Sequence, residues 1–280
     1  MSRALLPSFR RQQLLLDFTA LKKHCPESIY LAPFGPNAST WSGVLFVRSG
    51  PYASAIIRFE IVFPPTYPAV APQITCSTEL FHPLFTPLTT YTLTGGSLDP
   101  GTTASTQSAE RSTPGSFSLR HGFPAWFARL DGDQDDSFAA QPLSILPVLE
   151  YFKQAFEDYN LLDSLPYEAA VNTNAWYAWR AHRGLPRLGS RSVSPATGSS
   201  SAGKHPADWN WDGVWQSRVE SGVEESTSDT ALYSAQANRT ATLPDGIRFV
   251  KIDDDTVAEI QCSMLRAFGI EPAHLDSSAE

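Results

Sequence analysis

Residues 59–83 read Phe59-Glu-Ile-Val-Phe-Pro-Pro-Thr-Tyr-Pro-Ala-Val-Ala-Pro-Gln-Ile-Thr-Cys-Ser-Thr-Glu-Leu-Phe-His-Pro83. The first five residues end a β-rich run that begins at Ala55. Prolines at positions 64, 65, 68 and 72 exclude a helix and ladder pairing in the next ten residues, because proline lacks a backbone N–H donor. Gln73–Ser77 then forms another β-rich run. The stretch predicts two strands joined by a proline-rich turn and followed by a His-Pro pair.

The residues before this stretch predict a helix and two further strands. Apolar residues recur at helical spacing from Arg10 to His24, at Leu14, Leu15, Phe18 and Leu21. Two β-rich runs follow, 29–31 and 41–48, separated by turn-forming residues. One helix followed by a meander of four antiparallel strands is an α+β fold.

The residues after the stretch predict helices interrupted by unpacked segments. Residues 84–116 are rich in Thr, Ser, Gly and Pro, which predicts a flexible insertion, and 131–137 predict an acidic loop. One helix is predicted over 143–156, with Pro147 in its first turn, and another over 167–182. We therefore predict a domain over 1–184, a disordered linker over 185–207 and a separate tail over 208–280.

The tail is acidic and carries three tryptophans, Trp209, Trp211 and Trp215. It holds 14 acidic and 5 basic residues, whereas residues 1–207 are nearly balanced, with 15 and 16. Exposing three indoles to water is unfavourable because each has a large apolar surface. The indoles therefore either bind a partner or fasten the tail to the domain. Residues 247–252 predict a strand, and Thr256 with Glu259 predict a capping box at the start of a helix.

The stretch from Phe59 resembles the middle of a ubiquitin-conjugating (UBC) domain. In that family a strand ending in Phe-Pro-x-x-Tyr-Pro leads to His-Pro-Asn and then to Gly-x-Ile-Cys-Leu, with a Trp beyond. Here Gly115-Ser-Phe-Ser-Leu119 and Trp126 fit that frame. The resemblance implies a UBC fold, with Ser118 at the nucleophile's position and Leu84 at the Asn position. It implies structural roles for a set of motif residues: Tyr67, Pro68, His82, Pro83 and Trp126.

These replacements predict a protein that is not an enzyme. Thioester transfer needs a thiolate, which cysteine supplies because its pKa is about 8.5, whereas serine needs an adjacent base. Leu84 cannot donate a hydrogen bond to a developing oxyanion. One can assemble a catalytic triad from His121, Ser118 and Asp99. These residues lie in or near the predicted flexible Ser/Thr-rich insertion, where such residue types occur by chance, so we discount the triad.

Finer details resemble the Fused toes family, also called the AKT-interacting protein family. They are Phe81-His-Pro-Leu-Phe-Thr-Pro87, Phe123-Pro-Ala-Trp126, Leu165-Pro-Tyr-Glu-Ala-Ala-Val171 and Trp209-Asn210. The resemblance implies a non-catalytic adaptor that joins a Hook-type coiled coil and an FHIP-type subunit, and links dynein to early endosomes. One alternative is an inactive variant that binds ubiquitin or assists conjugation. The other is a residual conjugating enzyme acting through Ser118.

Composition excludes several other function classes. Three scattered cysteines, Cys25, Cys76 and Cys262, predict neither a disulfide framework nor a zinc knuckle. Acidic Asp253-Asp-Asp255 is more typical of a helix N-terminus than of a metal site. We expect no cofactor, no metal, no nucleic-acid partner and no membrane insertion. The expected location is cytoplasmic, with peripheral attachment to endosomes through partners.

Overall fold

The computed structural model of the protein describes residues 7–34, 38–87, 113–128, 144–186, 209–233 and 247–268. The first helix, α1, spans Pro7–His24, and five strands follow: β1 Ile29–Phe34, β2 Thr40–Phe46, β3 Ile56–Val62, β4 Gln73–Cys76 and β5 Ser116–Phe117. The later helices are α2 Pro124–Ala128, α3 Ile145–Glu157, α4 Tyr159–Ser164, α5 Thr173–His182, α6 Val214–Thr227, α7 Asp229–Tyr233 and α8 Asp254–Ala267.

The strands form one antiparallel sheet in the order β1-β2-β3-β4-β5. This confirms the α+β fold, and it adds a short fifth strand to the predicted four. Phe117 of β5 pairs with Ile74 of β4, and Phe85 forms an isolated bridge to Phe117. Two residues are too few for an alternating pattern, so periodicity could not predict this strand.

One face of the sheet carries the core. Phe59 of β3 lies 4.7 Å from Phe152 of α3, measured between ring centroids, and it covers Gly43 on β2. A Cβ atom at Gly43 would overlap the Phe59 ring. Because side chains alternate along a strand, the residues in phase with Phe59 share this face. The largest of them are fully buried: Trp41, Leu45, Ile57, Ile61 and Ile74.

The helix predicted after residue 143 is confirmed. Ser144 caps α3 by accepting a hydrogen bond from the Leu146 N–H, and Pro147 lies in the first turn, where its missing donor costs nothing. The predicted face, Ile145, Leu149, Phe152 and Phe156, is buried. On α1, Leu14 and Leu21 are buried, but Leu15 is exposed, so the buried stripe is narrower than predicted.

The helix predicted over 167–182 is shorter in the structure. Asn172 accepts a hydrogen bond from the Ala175 N–H and starts α5 at Thr173. Residues Tyr167–Ala169 form a 3₁₀ turn instead, and α4 precedes it. The predicted helix extended past the Asn172 cap because Ala and Tyr residues lie on both sides of Asn172 and continue the apolar pattern.

The predicted 84–116 insertion begins and ends inside the fold. Leu84 and Phe85 are buried, the Thr86 N–H donates to the Ser116 carbonyl (3.0 Å), and the Gly115 N–H donates to the Thr86 carbonyl (2.8 Å). Residues 88–112 lie outside the described residues, as do the acidic loop 131–137 and residues 187–207 of the predicted linker.

The predicted division at residues 184 and 208 does not match the packing. The chain separates into one compact unit over Met1–Ile247 and a second over Arg248–Glu280. Helices α6 and α7 belong to the first unit, where α6 packs against α5 and β3. Neither helix was predicted, because α6 carries Gly222 and several Ser and Glu residues that dilute its apolar periodicity.

The second unit contains α8 but not the predicted strand. Among its described residues, 248–268, the stretch before the helix has no strand assignment. Helix α8 begins at Asp254 with Asp253 as N-cap, and the Thr256 hydroxyl donates to the Asp253 carboxylate (2.6 Å). The predicted capping box placed the cap three residues too late, because Asp253 is itself a good N-cap residue. None of the described helices is long and apolar enough to cross a bilayer.

We predict that Gly50→Ala destabilises the protein by more than about 2 kcal/mol, because it combines left-handed backbone strain with a steric clash. Gly50 has a φ of +85°, and an added Cβ would overlap the Glu157 carbonyl. Gly184 also has positive φ, +65°, but nothing lies within 4 Å of its added Cβ. Gly184→Ala is therefore the matched control, with a loss of about 1 kcal/mol from strain alone. Urea unfolding measures both, and equal losses would contradict the steric argument.

Candidate functional site

His82 is fully buried and ties its own loop to α3. Its Nδ1 accepts a hydrogen bond from the Leu84 N–H (3.0 Å), and its Nε2 lies 2.9 Å from the Ala155 carbonyl oxygen on α3. A neutral imidazole carries one proton, so Nδ1 as acceptor places that proton on Nε2, which then donates to Ala155. The ring thereby fixes both its own loop and the distance to α3.

Burial also keeps the His82 ring neutral. Desolvation lowers its pKa from 6.5 to about 4, against a smaller opposing effect of the Ala155 hydrogen bond. Aromatic rings surround it: Tyr52 at 5.1 Å, Phe156 at 5.0 Å and Phe85 at 5.4 Å between centroids. The neutral ring has no free nitrogen left for acid–base chemistry.

The loop after His82 is held by backbone hydrogen bonds. The N–H groups of Val171 and Asn172 both donate to the Pro83 carbonyl (2.9 Å each). The Ser118 N–H donates to the Leu84 carbonyl (2.9 Å). Residues 82–84 and 118 are thus adjacent across the end of the sheet, which is the juxtaposition that the UBC resemblance implied.

The adjacent residues lack the groups that thioester transfer requires. Ser118 is partly exposed and bears a hydroxyl, and the nearby His82 has no lone pair available to deprotonate it. The Leu84 side chain is apolar and fully buried. Desolvation lowers the pKa of His121, which is half-buried, and Asp99 lies outside the described residues.

The cysteines occupy other places. Cys76 is buried in β4 opposite Phe59, and desolvation raises the pKa of its thiol well above the usual range. The Cys25 thiol lies 3.5 Å from the Ile29 carbonyl, and burial raises its pKa as well. Both shifts disfavour the thiolate, so neither thiol is activated. Cys262 is on α8 and half-buried.

Trp126 anchors the proline-rich turn. Its indole Nε1 donates to the Pro68 carbonyl (3.0 Å), and the Tyr67–Pro68 peptide bond is cis. Tyr67 is buried, with its ring 4.8 Å from that of Phe63, and burial raises the pKa of its hydroxyl. Tyr67, Pro68 and Trp126 therefore act together as a structural unit at one end of β3.

The three tail tryptophans do not form one accessible surface. Trp215 is 2% exposed and contacts Trp179 at 4.7 Å and Tyr52 at 5.6 Å between centroids. Trp211 is also buried and stacks on Tyr177 at 6.3 Å. Trp209 alone of the three is exposed, at 47%. As a joint partner site the prediction was wrong for Trp211 and Trp215, because both bury against α5 and so fasten the segment.

Sequence reasoning missed Tyr52 as a support for His82. Its hydroxyl donates to the Phe81 carbonyl (2.8 Å), and its ring lies against those of His82, Phe156 and Trp215. Its place directly after the Ser49-Gly50-Pro51 turn was the signal that could have marked it, since the turn directs the chain back toward the core.

Within the described residues no group of three or more His, Cys, Asp and Glu side chains could hold a metal ion. Asp253 instead caps α8, and the hydrogen bond from Thr256 lowers its pKa. The candidate site is a packed joint between the His82 loop, α3 and the residues that follow β5.

We predict that His82 makes the protein less stable as the pH falls from 6.5 toward 4. The folded pKa of about 4 lies below the unfolded value of 6.5, so unfolding takes up a proton in this window. A pKa shift of this size corresponds to about 3 kcal/mol in the free energy of unfolding. This contribution is fully present above pH 6.5 and is lost near pH 4. Urea unfolding at several pH values measures it. His82→Gln removes this contribution, and an unchanged slope in that variant would contradict the assignment.

Comparison with known proteins identifies the domain. The family model described as ubiquitin-conjugating enzyme matches residues 13–89, from α1 through the His-Pro loop. A "Protein crossbronx homolog" from Culex quinquefasciatus is 36% identical over 77 residues, 27% of this chain and 33% of that protein. An "AKT-interacting protein" from Danio rerio is 34% identical over 83 residues, 29% of this chain and 28% of that protein.

A further "AKT-interacting protein", from Rattus norvegicus, is 32% identical over 94 residues, which are 33% of this chain and 30% of that protein. The matches thus span about a third of the length of each curated relative. Fold, motif order and these matches agree. The chain carries a ubiquitin-conjugating-enzyme-like domain and is, over that domain, a variant similar to the AKT-interacting and crossbronx proteins.

Proposed function

We propose that the chain is a non-catalytic UBC-like adaptor that joins a Hook-type coiled coil and an FHIP-type subunit. In this role it links dynein to early endosomes for vesicle transport, and it is peripheral on the endosome through its partners. One observation supports the absence of chemistry most strongly: a serine and a fully buried leucine stand at the positions of the nucleophile and of the Asn, and His82, with both nitrogens in hydrogen bonds, cannot serve the serine as a base. The family resemblance and the names of the relatives support a role in protein binding.

The adaptor role needs an exposed apolar surface, and α8 provides one. Val257, Ile260, Met264 and Phe268 follow a spacing of three, four and four residues, which places them along one side of the helix. All four are exposed, Phe268 by 76%. Large apolar side chains aligned in this way are typical of protein interaction sites, and a coiled-coil helix would pack along such a stripe.

We expect wild-type protein to form no ubiquitin adduct with ubiquitin-activating enzyme, ATP and ubiquitin. Serine without a base is a poor nucleophile at neutral pH, and Leu84 offers no hydrogen bond to an oxyanion. Denaturing gels detect the adduct, with an active conjugating enzyme as positive control. A hydroxide-sensitive adduct that disappears in Ser118→Ala would overturn the proposal. Titration with free ubiquitin tests the other alternative, since binding at micromolar strength would favour a ubiquitin-binding role.

We expect Hook-type and FHIP-type proteins to co-purify with the full chain. Ile260→Asp with Met264→Asp should reduce their recovery at least tenfold, because two charges then face an apolar interface. Ala258→Asp with Ser263→Asp is the matched control, since both residues are neutral, exposed and off the apolar stripe, and the variant adds the same two negative charges to α8. Mass spectrometry of the purified complexes measures the recovery.

Two outcomes of this purification would count against the proposal in different ways. Absence of both partners from the wild-type sample would contradict the adaptor role. Equal recovery with both double variants would contradict the assignment of α8. The relatives' name makes AKT a further protein to look for in the same samples.

A further inference from the structure

The first unit contains a groove that α6 fills. Its walls are α5, β3 and the 79–82 loop, and its floor is aromatic. Trp215 enters this floor, with its ring 4.7 Å from Trp179 and 6.1 Å from Phe81 between centroids. A single buried indole between aromatic neighbours is the usual anchor of a helix in a groove.

The rest of α6 fits the groove along one helical stripe. Trp215, Val219, Gly222 and Ser226, spaced four, three and four residues apart, are its buried residues. Gly222 lies beside the 79–82 loop, where an added Cβ would make an ordinary van der Waals contact with the Glu79 carbonyl oxygen at 3.5 Å. The pattern is that of a helix with one large aromatic anchor followed by smaller residues along its buried stripe.

Polar contacts fix the register of the helix on the sheet. The Ser226 hydroxyl accepts a hydrogen bond from the Ile56 N–H (3.2 Å) at the start of β3, and it donates to the Val223 carbonyl (2.7 Å). Beyond α6, the Arg58 guanidinium donates to the Leu232 carbonyl (3.2 Å) on α7. Ser226 is 1% exposed, so this polar contact is sealed from water.

The same segment lies over the outer face of the sheet, opposite the core. Arg58 and Val44 are paired across β3 and β2 and lie out of phase with Phe59, so they belong to this face. Val44 is nevertheless only 2% exposed. Residues 209–233 are all described and contain no strand. They contact the sheet through the Ser226 hydroxyl and the Leu232 carbonyl.

We propose that residues 209–233 are an intramolecular ligand, a helix held in a helix-binding groove of the UBC-like domain, which keeps the groove and the adjoining outer sheet face from binding other helices. This inference goes beyond the adaptor role and does not depend on it. The groove's occupant is this segment, because its anchor, its small residues and its serine each meet a matching group. Tethering to the domain gives the segment a high effective concentration, so it excludes the same sequence added from outside.

The test adds a fluorescently labelled synthetic peptide of residues 209–233 to the full-length protein and measures anisotropy. We expect no binding to the wild type, whose groove is filled. In full-length Trp215→Ala the internal segment is weakened, and the peptide should bind at least tenfold more tightly than to the wild type. Full-length Trp209→Ala, which alters an exposed indole, is the matched control and should behave as the wild type. A peptide carrying Trp215→Ala should bind neither protein.

A folded Trp215→Ala protein that does not bind the peptide would overturn the proposal. If Trp215→Ala does not fold, as judged by near-ultraviolet circular dichroism, full-length Ser226→Asp decides the question, because it places a charge in the contact with β3 and leaves the aromatic anchor intact. Peptide binding by Ser226→Asp supports the proposal. Failure of this variant to fold, or to bind, shows that the segment is an inseparable part of the domain.

Discussion

The arrangement depends on one neutral imidazole. His82 accepts from the Leu84 N–H and donates to the Ala155 carbonyl, so the loop after β4 is tied to the last turn of α3 by an uncharged ring. Leu84 in turn accepts from the Ser118 N–H, which brings β5 to the same place. A buried ring with both nitrogens satisfied stabilises this joint, whereas a single unsatisfied nitrogen would cost the desolvation of a polar group.

The same joint supports our proposal that the domain contributes shape rather than chemistry. A general base needs a free lone pair, and a nucleophile at neutral pH needs either a thiolate or such a base. At this position the lone pair is used by the fold, and the neighbouring residues are a serine and a buried leucine. What the domain keeps is a rigid sheet with a core on one face and the 209–233 segment on the other. Binding through surfaces is the function that such an arrangement supports.

Local patterns predicted much of this fold. The sequence of strands, the buried face of α3 with Pro147 in its first turn, and the attention to Tyr67, His82 and Trp126 each followed from periodicity, turn chemistry or family resemblance. The errors came from tertiary packing. Trp211 and Trp215 were interpreted as a binding surface because the sequence does not show that they pack against α5 and Tyr52. Residues 247–252 alternate like a strand, but alternation forms a strand only where a ladder partner is present.

The most direct test of the central claim is a pH titration of His82 by nitrogen-15 NMR of the full-length protein. We predict the neutral tautomer with the proton on Nε2 and Nδ1 unprotonated, unchanged from pH 7.5 to about 5, because desolvation lowers the pKa to about 4. A proton on Nδ1, or an imidazolium that forms near pH 6.5, would show that the ring is solvated and free to exchange protons. Either result would contradict the account of His82 as the neutral joint of the domain.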